Sequence, residues 1–227
     1  MKTRDSKLAL AFLCAIFTIS HFACNSRNSP PTDGPHVEYH ENGLKKAEGQ
    51  YKNGNMDGLY TWWYTNGRKA WEGQFKDGKL VSASVWKPDG KPGPITNMVD
   101  GSGILAYWHE NGRKSAEFHY KDSEPDGLWT TWHKNGQKET EIHYKDGTLE
   151  GLSTTWYENG RKESEDSFKN GKQNGLETRW YENGKKKTEV HYKNGKQNGL
   201  RTEWDENGKK QKEIQYKDGK LISQKAF

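Results

Sequence analysis

The sequence is poor in aliphatic residues and in cysteine, and these shortages exclude several classes of protein. Leu, Ile, Val and Phe together account for 32 of the 227 residues, which is too few for a helical bundle or a membrane protein with several spans. The only cysteines are Cys14 and Cys24, so no disulfide can hold together the chain that follows them. An excess of positive charge is also lacking. The formal net charge is only +5, whereas a dedicated nucleic-acid-binding protein has a basic face or stripe, so we expect no nucleic-acid partner.

Aromatic residues and glycine are abundant instead. The chain contains 10 Trp, 11 Tyr and 25 Gly. A low aliphatic content alone is typical of disorder, but disordered segments also contain few aromatic residues. A chain rich in Trp, Tyr and Gly is typical of many short β-strands joined by turns. The composition therefore predicts an all-β protein.

The N-terminal residues have the pattern of a secretory signal. Lys2, Arg4 and Lys7 precede an apolar stretch over residues 8–20, which is too short to be a permanent membrane span. Ala23 then stands directly before a cysteine.

This small residue before Cys24 resembles the lipobox of bacterial lipoproteins, in which the cysteine is lipidated and becomes the new N-terminus. The resemblance implies a lipoprotein signal peptide at residues 1–23, followed by a polar tether at 24–36. It also implies a location in the bacterial cell envelope, with a lipid anchor in the membrane. Asn25 and Ser26 lack the aspartate that favours inner-membrane retention, so the outer membrane is preferred. A secreted protein with an ordinary cleaved signal and an uncleaved N-terminal anchor remain the alternatives.

A repeat of about 24 residues organises the rest of the chain. Eight units fit into residues 37–222, leaving a C-terminal tail at 223–227. The third unit, residues 81–103, is degenerate, because three prolines fall where its hairpin should pair. One turn glycine per unit recurs at intervals of 22 to 24 residues, namely Gly43, Gly67, Gly90, Gly112, Gly136, Gly160, Gly184 and Gly208.

Each unit is predicted to be a β-hairpin with a buried repeat core. The pattern Leu-x-Thr-x-Trp before the turn glycine has a period of two, which is typical of a strand with one buried face. Its Trp column consists of Trp63, Trp86, Trp108, Trp132, Trp156, Trp180 and Trp204. An aromatic column after the turn includes Tyr144, Tyr192 and Tyr216. We predict that both columns share the buried face, that Trp129 faces the other way, and that a three- or five-residue loop holds the turn glycine in a left-handed conformation.

Other regularly placed residues are interpreted as structural. Columns of Lys and Glu beyond the turn predict a solvated face on which the charges compensate. Five histidines recur in the repeats, at His109, His119, His133, His143 and His191, and equivalent positions lie too far apart to share a metal ion. Because all units offer the same side chains, we expect no catalytic residue, no metal and no cofactor. Tyr64, Tyr157 and Tyr181 either pack across strands or bind sugars or partner chains.

The stretch from Trp180 to Leu200, with Trp-Tyr-Glu-Asn-Gly at its start and Tyr-Lys-Asn-Gly-Lys near its end, resembles the MORN-repeat variant of bacterial proteins. The resemblance extends over residues 37–222. Proteins of this kind are often described as YwqK-type antitoxins, and MORN repeats imply protein–protein contacts and membrane association. No catalytic residue belongs to the motif.

We therefore expect an elongated, twisted antiparallel meander of about eight β-hairpins. The expected function is that of a non-enzymatic, envelope-tethered repeat protein that mediates protein–protein interaction. One alternative is an antitoxin or immunity protein that occludes a partner toxin, and another is a glycan- or cell-wall-binding module. The partner is an unknown protein, a toxin among the candidates, or a second copy of the chain. We expect it to bind at residues 177–227, which project furthest from the tether.

Overall fold

The computed structural model describes residues 33–93 and 97–227, and these residues form β-strands and turns but no helix. The predicted signal peptide, the lipidation site Cys24 and most of the predicted tether lie outside the described residues. The first strand already begins at Gly34 and the last ends at Ala226, so the sheet extends beyond the predicted repeat range at both ends.

The strands form one open antiparallel sheet in which neighbours in sequence are neighbours in space, and this confirms the predicted meander. Their number exceeds the expected sixteen, because two strands are interrupted by an aspartate and a last strand is added. The strands are β1 (Gly34–Tyr39), β2 (Lys45–Lys52), β3 (Asn55–Met56), β4 (Gly58–Trp63), β5 (Lys69–Lys76), β6 (Lys79–Val85), β7 (Asn97–Val99), β8 (Ser102–Trp108), β9 (Lys114–Lys121), β10 (Glu124–Pro125), β11 (Gly127–Trp132), β12 (Lys138–Lys145), β13 (Thr148–Trp156), β14 (Lys162–Lys169), β15 (Lys172–Trp180), β16 (Lys186–Lys193), β17 (Lys196–Trp204), β18 (Lys210–Lys217) and β19 (Lys220–Ala226).

Two kinds of turn alternate along the sheet. In the first kind, Gly67 N donates to the carbonyl of Tyr64 at 2.9 Å, and the glycine has a φ of 78°. This is the predicted three-residue loop with a left-handed glycine. In the second kind, Asp77 and Gly78 both have positive φ, at 51° and 78°, which is typical of a two-residue type I′ turn. The two kinds define the two long edges of the sheet.

A β-bulge next to each first turn changes the register of the hairpin. Trp63 pairs with Lys69, but the preceding residue Trp62 pairs with Trp71, so Ala70 is an extra residue on the second strand. The same shift recurs in the other regular repeats. One extra residue moves all later side chains of that strand to the opposite face.

The bulge corrects the predicted repeat core. Beyond it, Leu59 pairs with Gln74, while Gly58 pairs with Phe75 of the aromatic column. The Leu-x-Thr-x-Trp pattern and the aromatic column therefore lie on opposite faces of the sheet. The three- or five-residue loop was predicted on the assumption that both columns share a face. The loop is present, but period-two patterning does not reveal the bulge beside it, so the expected shared face was wrong. We call the face with the aromatic column the core face and the face with the Trp column the ladder face.

The core face is apolar in the first five repeats. Trp71 is fully buried there, and Trp129, which was predicted to face away, stacks on Phe118 with ring centroids 4.5 Å apart. Gly73 makes room for these large rings, because a Cβ at this position would lie 2.2 Å from the Trp71 ring. The buried cluster consists of Ala47, Tyr51, Tyr60, Trp71, Phe75, Leu80, Ala83, Val85, Met98, Leu105, Ala116, Phe118, Tyr120, Trp129, Ile142 and Tyr144.

The third repeat is irregular where the prolines stand. Strand β7 has three residues instead of eight, and it pairs with β6 only through Ala83 and Met98. Trp86 and Pro92 form an isolated bridge beside it. The sheet nevertheless continues, because Gly101 N donates to the carbonyl of Val81 at 2.7 Å.

Candidate functional site

The Trp column lies on the ladder face, where its rings are partly buried rather than enclosed in the core. Each ring has the ammonium group of a lysine above it, 5.1–5.9 Å from the ring centroid, which is the arrangement of a cation–π contact. The lysine comes from the preceding hairpin, so the contact joins neighbouring repeats. The pairs are Lys45–Trp63, Lys69–Trp86, Lys87–Trp108, Lys114–Trp132, Lys138–Trp156, Lys162–Trp180 and Lys186–Trp204.

Most of these lysines also form an ion pair with the glutamate three residues further along. Lys69 Nζ lies 2.6 Å from Glu72, and Lys114 Nζ lies 2.7 Å from Glu117. Equivalent pairs recur in the other regular repeats. The predicted compensation of Lys by Glu is therefore confirmed. Its expected place on the face opposite the Trp column was wrong, because the bulge brings Lys69 and Glu72 onto the face of Trp63.

In six of the eight repeats, a histidine or tyrosine directly after the Trp column position connects one repeat to the next. His109 Nε2 lies 2.7 Å from the carbonyl oxygen of Trp132, and the Tyr157 hydroxyl donates to the carbonyl of Trp180 at 2.7 Å. The same contact is made by His40, Tyr64, His133 and Tyr181. These side chains, which include the three tyrosines weighed as binding residues, have a structural partner in the next repeat.

The asparagine before the turn glycine has a similar connecting role in six of the eight first turns. Asn111 Oδ1 accepts a hydrogen bond from the amide of Arg113 within the turn, at 3.0 Å. Its Nδ2 donates to the carbonyl of Lys134 in the next turn, at 2.9 Å. The side chain thus shapes its own loop and ties it to the following one, which explains the recurrence of Asn before the turn glycine.

The leucines of the ladder face are left uncovered. Leu59, Leu152, Leu176 and Leu200 were predicted to be core residues, yet between 37% and 54% of each is exposed. We call Leu152, Leu176 and Leu200, which occupy equivalent positions in three consecutive repeats, the leucine row. Because strands lie about 4.8 Å apart, successive members of the row are about 10 Å apart. An ordered row of exposed apolar side chains on one face is typical of a contact surface.

The aromatic column keeps its predicted orientation toward the core only in part. Tyr144 is buried against Trp129, with ring centroids 4.8 Å apart, and burial raises its pKa to about 12. Tyr192 and Tyr216 are on the same face but remain partly exposed, because their neighbours in the last three repeats are polar.

A cluster of charged residues replaces the apolar residues on this polar part of the core face. Asp166 and Glu177 stand directly opposite each other on β14 and β15. Arg179 Nε lies 2.7 Å from Glu177, and Gln173 Nε2 donates to both carboxylates, at 2.9 and 3.0 Å. Burial, together with the negative charge of Glu177, raises the pKa of Asp166 to about 6. The arginine and glutamine satisfy the two carboxylates, so the cluster is internally compensated.

The ladder face also carries His119, His143 and His191. Within residues 33–93 and 97–227, no group of three or more His, Cys, Asp or Glu side chains is placed to hold a metal ion. No helix in those ranges is long and apolar enough to cross a membrane.

The residues that sequence reasoning missed are Tyr60, Trp62, Trp71 and Leu105 of the core face. The regular repeats fill the corresponding positions with Ser, Thr or charged residues, so a search for recurring columns passes over them. The signal that could have found Tyr60, Trp62 and Leu105 is that they are large apolar residues at the x positions of the Leu-x-Thr-x-Trp pattern.

The comparisons with known proteins agree with this repeat geometry. Five segments match the MORN repeat variant, at residues 32–53, 125–146, 149–170, 173–194 and 197–218. No curated protein matches the chain. The matched segments include all of the polar repeats, whereas the unmatched interval 54–124 holds most of the buried aromatic residues. Five segments of the chain are thus similar to the MORN repeat variant, and each of them spans one antiparallel hairpin of the sheet.

Proposed function

We propose that this protein is a non-enzymatic, envelope-tethered repeat protein that binds a protein partner through the ladder face. MORN repeats generally take part in protein or membrane interactions. The observation that carries the proposal is the leucine row, whose members are exposed although neighbouring Trp, Lys and Glu side chains are held in place by one another. Burying such a row against a partner would contribute roughly 25 cal/mol for each Å² of apolar surface removed from water.

Most polar side chains of the ladder face bond to groups of the protein itself, which supports a partner contact through the apolar row. The histidines and tyrosines after the Trp column bond to carbonyl groups, and the ladder lysines bond to glutamates. The leucine row is the apolar part of this face that stays exposed. A rigid, repetitive surface with apolar positions in register suits a partner that presents apolar groups along one line.

The tether is the second part of the proposal. Lipidation of Cys24 would hold the sheet at the envelope, with the outer membrane as the preferred location. A single lipidated cysteine gains stable anchoring from the two or three acyl chains that it carries, since membrane binding strengthens with each buried CH₂ group. If Cys24 is lipidated, the Cys24→Ala protein should leave the membrane fraction and fail to incorporate labelled palmitate.

The partner-binding part is tested by substitution in the leucine row. Leu200→Asp should abolish crosslinking of a partner at the ladder face, and a photoreactive residue at position 176 should give a discrete adduct in envelope fractions. Leu44→Asp is the matched control, because Leu44 is 44% exposed and Leu200 is 43% exposed, but Leu44 lies in a turn outside the row. Equal adduct yield from both variants would contradict the proposal.

Two alternative functions predict different outcomes of the same experiment. An antitoxin or immunity protein would give one stoichiometric adduct with a toxin, and the Leu200→Asp variant would no longer protect cells that express it. A glycan- or wall-binding module would sediment with purified peptidoglycan, and Leu200→Asp would reduce that sedimentation without removing any protein adduct.

A further inference from the structure

One long edge of the sheet carries an unusual arrangement of lysines in the last three repeats. In each of three second turns, two lysines stand directly opposite each other across the strand pair. All six side chains are exposed, and none forms an ion pair with a described residue. We call this set the lysine row: Lys169, Lys172, Lys193, Lys196, Lys217 and Lys220.

The lysine row carries an electrostatic cost that two of the earlier second turns avoid. Like charges directly opposite each other on neighbouring strands are destabilising. In the two repeats just before the row, Lys121 stands opposite Glu124 and Lys145 stands opposite Thr148. One earlier turn also has an opposed pair, Lys76 with Lys79, but the turns on either side of it do not, so three such pairs in succession are a feature of the last repeats. Asp218 is the only acidic residue within the three turns of the row. The positive charge is thus concentrated where the chain itself supplies almost no counter-charge.

The protein itself shows how a carboxylate sits against such a turn. Asp33 accepts a hydrogen bond from the amide of Gly54 at 3.1 Å, and backbone amides of this turn, with Lys52 nearby, lower the pKa of Asp33. Glu150 accepts in the same way from the amide of Asn170, at 2.8 Å.

In the next two turns of the row, a neutral side chain accepts the hydrogen bond from the turn amide instead of a carboxylate. Asn174 accepts from the amide of Asn194, and Asn198 accepts from the amide of Asp218, both at 3.2 Å. An amide oxygen satisfies the turn amide but brings no negative charge to the lysines beside it. These two turns therefore receive no carboxylate from the neighbouring repeat, in contrast to the turns at Gly54 and Asn170, and the only acidic side chain within either of them is Asp218.

We propose that the lysine row is a docking edge for an extended acidic segment of a protein partner. This inference rests on the proposed function of partner binding and names the chemistry of one contact. The lysine pairs recur every second strand, about 10 Å apart. In an extended chain of the polyproline II type, every third side chain points the same way and three residues span about 9 Å. An acidic residue at every third position of the partner would therefore meet successive lysine pairs. The row is only one turn wide, which suits a single extended chain rather than a broad surface of headgroups.

The test uses a fluorescent twelve-residue peptide with glutamate at every third position, separated by glycine and serine, and the full mature protein. The triple variant Lys172→Gln, Lys196→Gln and Lys220→Gln removes one lysine from each opposed pair. It should bind the peptide at least about tenfold more weakly, because exposed charge pairs contribute up to about 1 kcal/mol each. Its urea midpoint should be unchanged or higher, because three repulsive pairs are removed.

The matched control is the triple variant Lys52→Gln, Lys121→Gln and Lys145→Gln, which removes three turn lysines outside the row and should keep the wild-type affinity. A glutamine version of the peptide should not bind either protein. Failure of the wild type to bind the glutamate peptide, or equal weakening by both triple variants, would overturn the proposal.

Two further probes distinguish the source of the negative charge. If phosphatidylglycerol vesicles or inorganic polyphosphate bind through the lysine row while the peptide does not, the row recognises phosphate and the proposal is wrong. Photocrosslinking at position 176 is independent of the lysine row. A negative peptide result with an intact adduct at that position would reject the docking edge but leave the proposed function standing.

Discussion

The two halves of the sheet have the same ladder face but different core faces. Strands β2–β12 enclose an apolar cluster on the core face, around residues such as Trp71 and Trp129, whereas strands β13–β18 place Asp166, Glu177 and Arg201 in the same row. The ladder of Lys, Trp and Glu continues through both halves. The repeat motif specifies the ladder and the turns, while the continuous aromatic cluster is an addition of the earlier repeats; the polar half buries only single aliphatic side chains on the core face, Val190 and Ile214.

The polar half is stabilised by pairing instead of by a packed core. Arg179 bonds to Glu177, and Arg201 Nε lies 2.8 Å from Glu203. Such partly exposed pairs contribute little individually, so nearest-neighbour contacts along the ladder must supply most of the stability of these repeats. We therefore expect the two halves to respond differently to substitutions on the core face and similarly to substitutions in the ladder.

The largest difference is expected between two tryptophans. Trp129→Ala removes a ring buried among Phe118, Tyr120 and Tyr144, and should lower the free energy of unfolding by about 3–5 kcal/mol. Trp156→Ala removes a partly exposed ring beneath Lys138 and should cost about 1–2 kcal/mol. Urea denaturation of both variants measures the difference. An equal or larger cost for Trp156→Ala would restore the face assignment that the sequence pattern suggested.

A smaller effect is expected when the core of the first half is overfilled. The added methyl group in Gly73→Ala would lie 2.2 Å from the Trp71 ring, so the ring must move, at a cost of about 1–3 kcal/mol. Ser153→Ala, in the same row of the polar half, should change the free energy of unfolding by less than about 0.5 kcal/mol. If thermal unfolding shows the two variants to be equally stable, the packing contrast between the halves does not hold.

The charged row of the second half predicts a dependence on pH. The pKa of Asp166 is raised in the folded protein, so protonation favours folding: its contribution is complete below about pH 4 and is lost as the pH rises through about 6. At neutral pH the charged carboxylate destabilises the fold. Asp166→Asn should therefore raise the free energy of unfolding by about 1–2 kcal/mol near pH 7.5, after allowance for partial solvent screening, and should give no gain near pH 4.

The control for this prediction is Glu206→Gln, because the Glu206 side chain is exposed in a first turn. Its effect on stability should be small and should not change between the two pH values. A gain for Asp166→Asn that is the same at both values would show that the carboxylate is not the cause.

The smallest expected effect comes from a ladder hydrogen bond, and it should be the same in both halves because the ladder is common to them. Tyr64→Phe and Tyr157→Phe each remove a hydroxyl that donates to a tryptophan carbonyl in the next repeat, at 2.8 and 2.7 Å. Each should cost about 0.5–1.5 kcal/mol. Costs that differ severalfold in chemical denaturation would mean that the ladder is not equivalent along the chain.

The repeat, both turns and the charged columns could be predicted because they depend on residues close together in sequence. The columns of Lys and Glu follow from the repeat itself. The pairing of Lys69 with Glu72 does not, because residues three apart on a regular strand point to opposite faces, and these two share a face only through the bulge at Ala70. The assignment of faces could not be predicted in the same way. It depends on the extra residue Ala70, which has no side-chain property that identifies it as a bulge.

The candidate site shows the same division between local and non-local information. The columns of Trp and Leu were found from their period, but their exposure was not, because it follows from the bulge. The lysine row was visible as Lys-Asn-Gly-Lys in sequence. Its significance required the register that sets Lys193 opposite Lys196.

Native-state hydrogen exchange of two equivalent strands tests the account most directly. Strands β9 and β16 carry the same ladder residues, and each buries the side chain at the equivalent core-face position, Phe118 and Val190. Phe118 belongs to the aromatic cluster, whereas Val190 lies between Glu177 and Arg201. The account predicts that the amides of Lys114–Lys121 exchange at least about tenfold more slowly than those of Lys186–Lys193, because opening β9 exposes the packed core. Equal protection of the two strands, or stronger protection of β16, would contradict the claim that the two halves are stabilised differently.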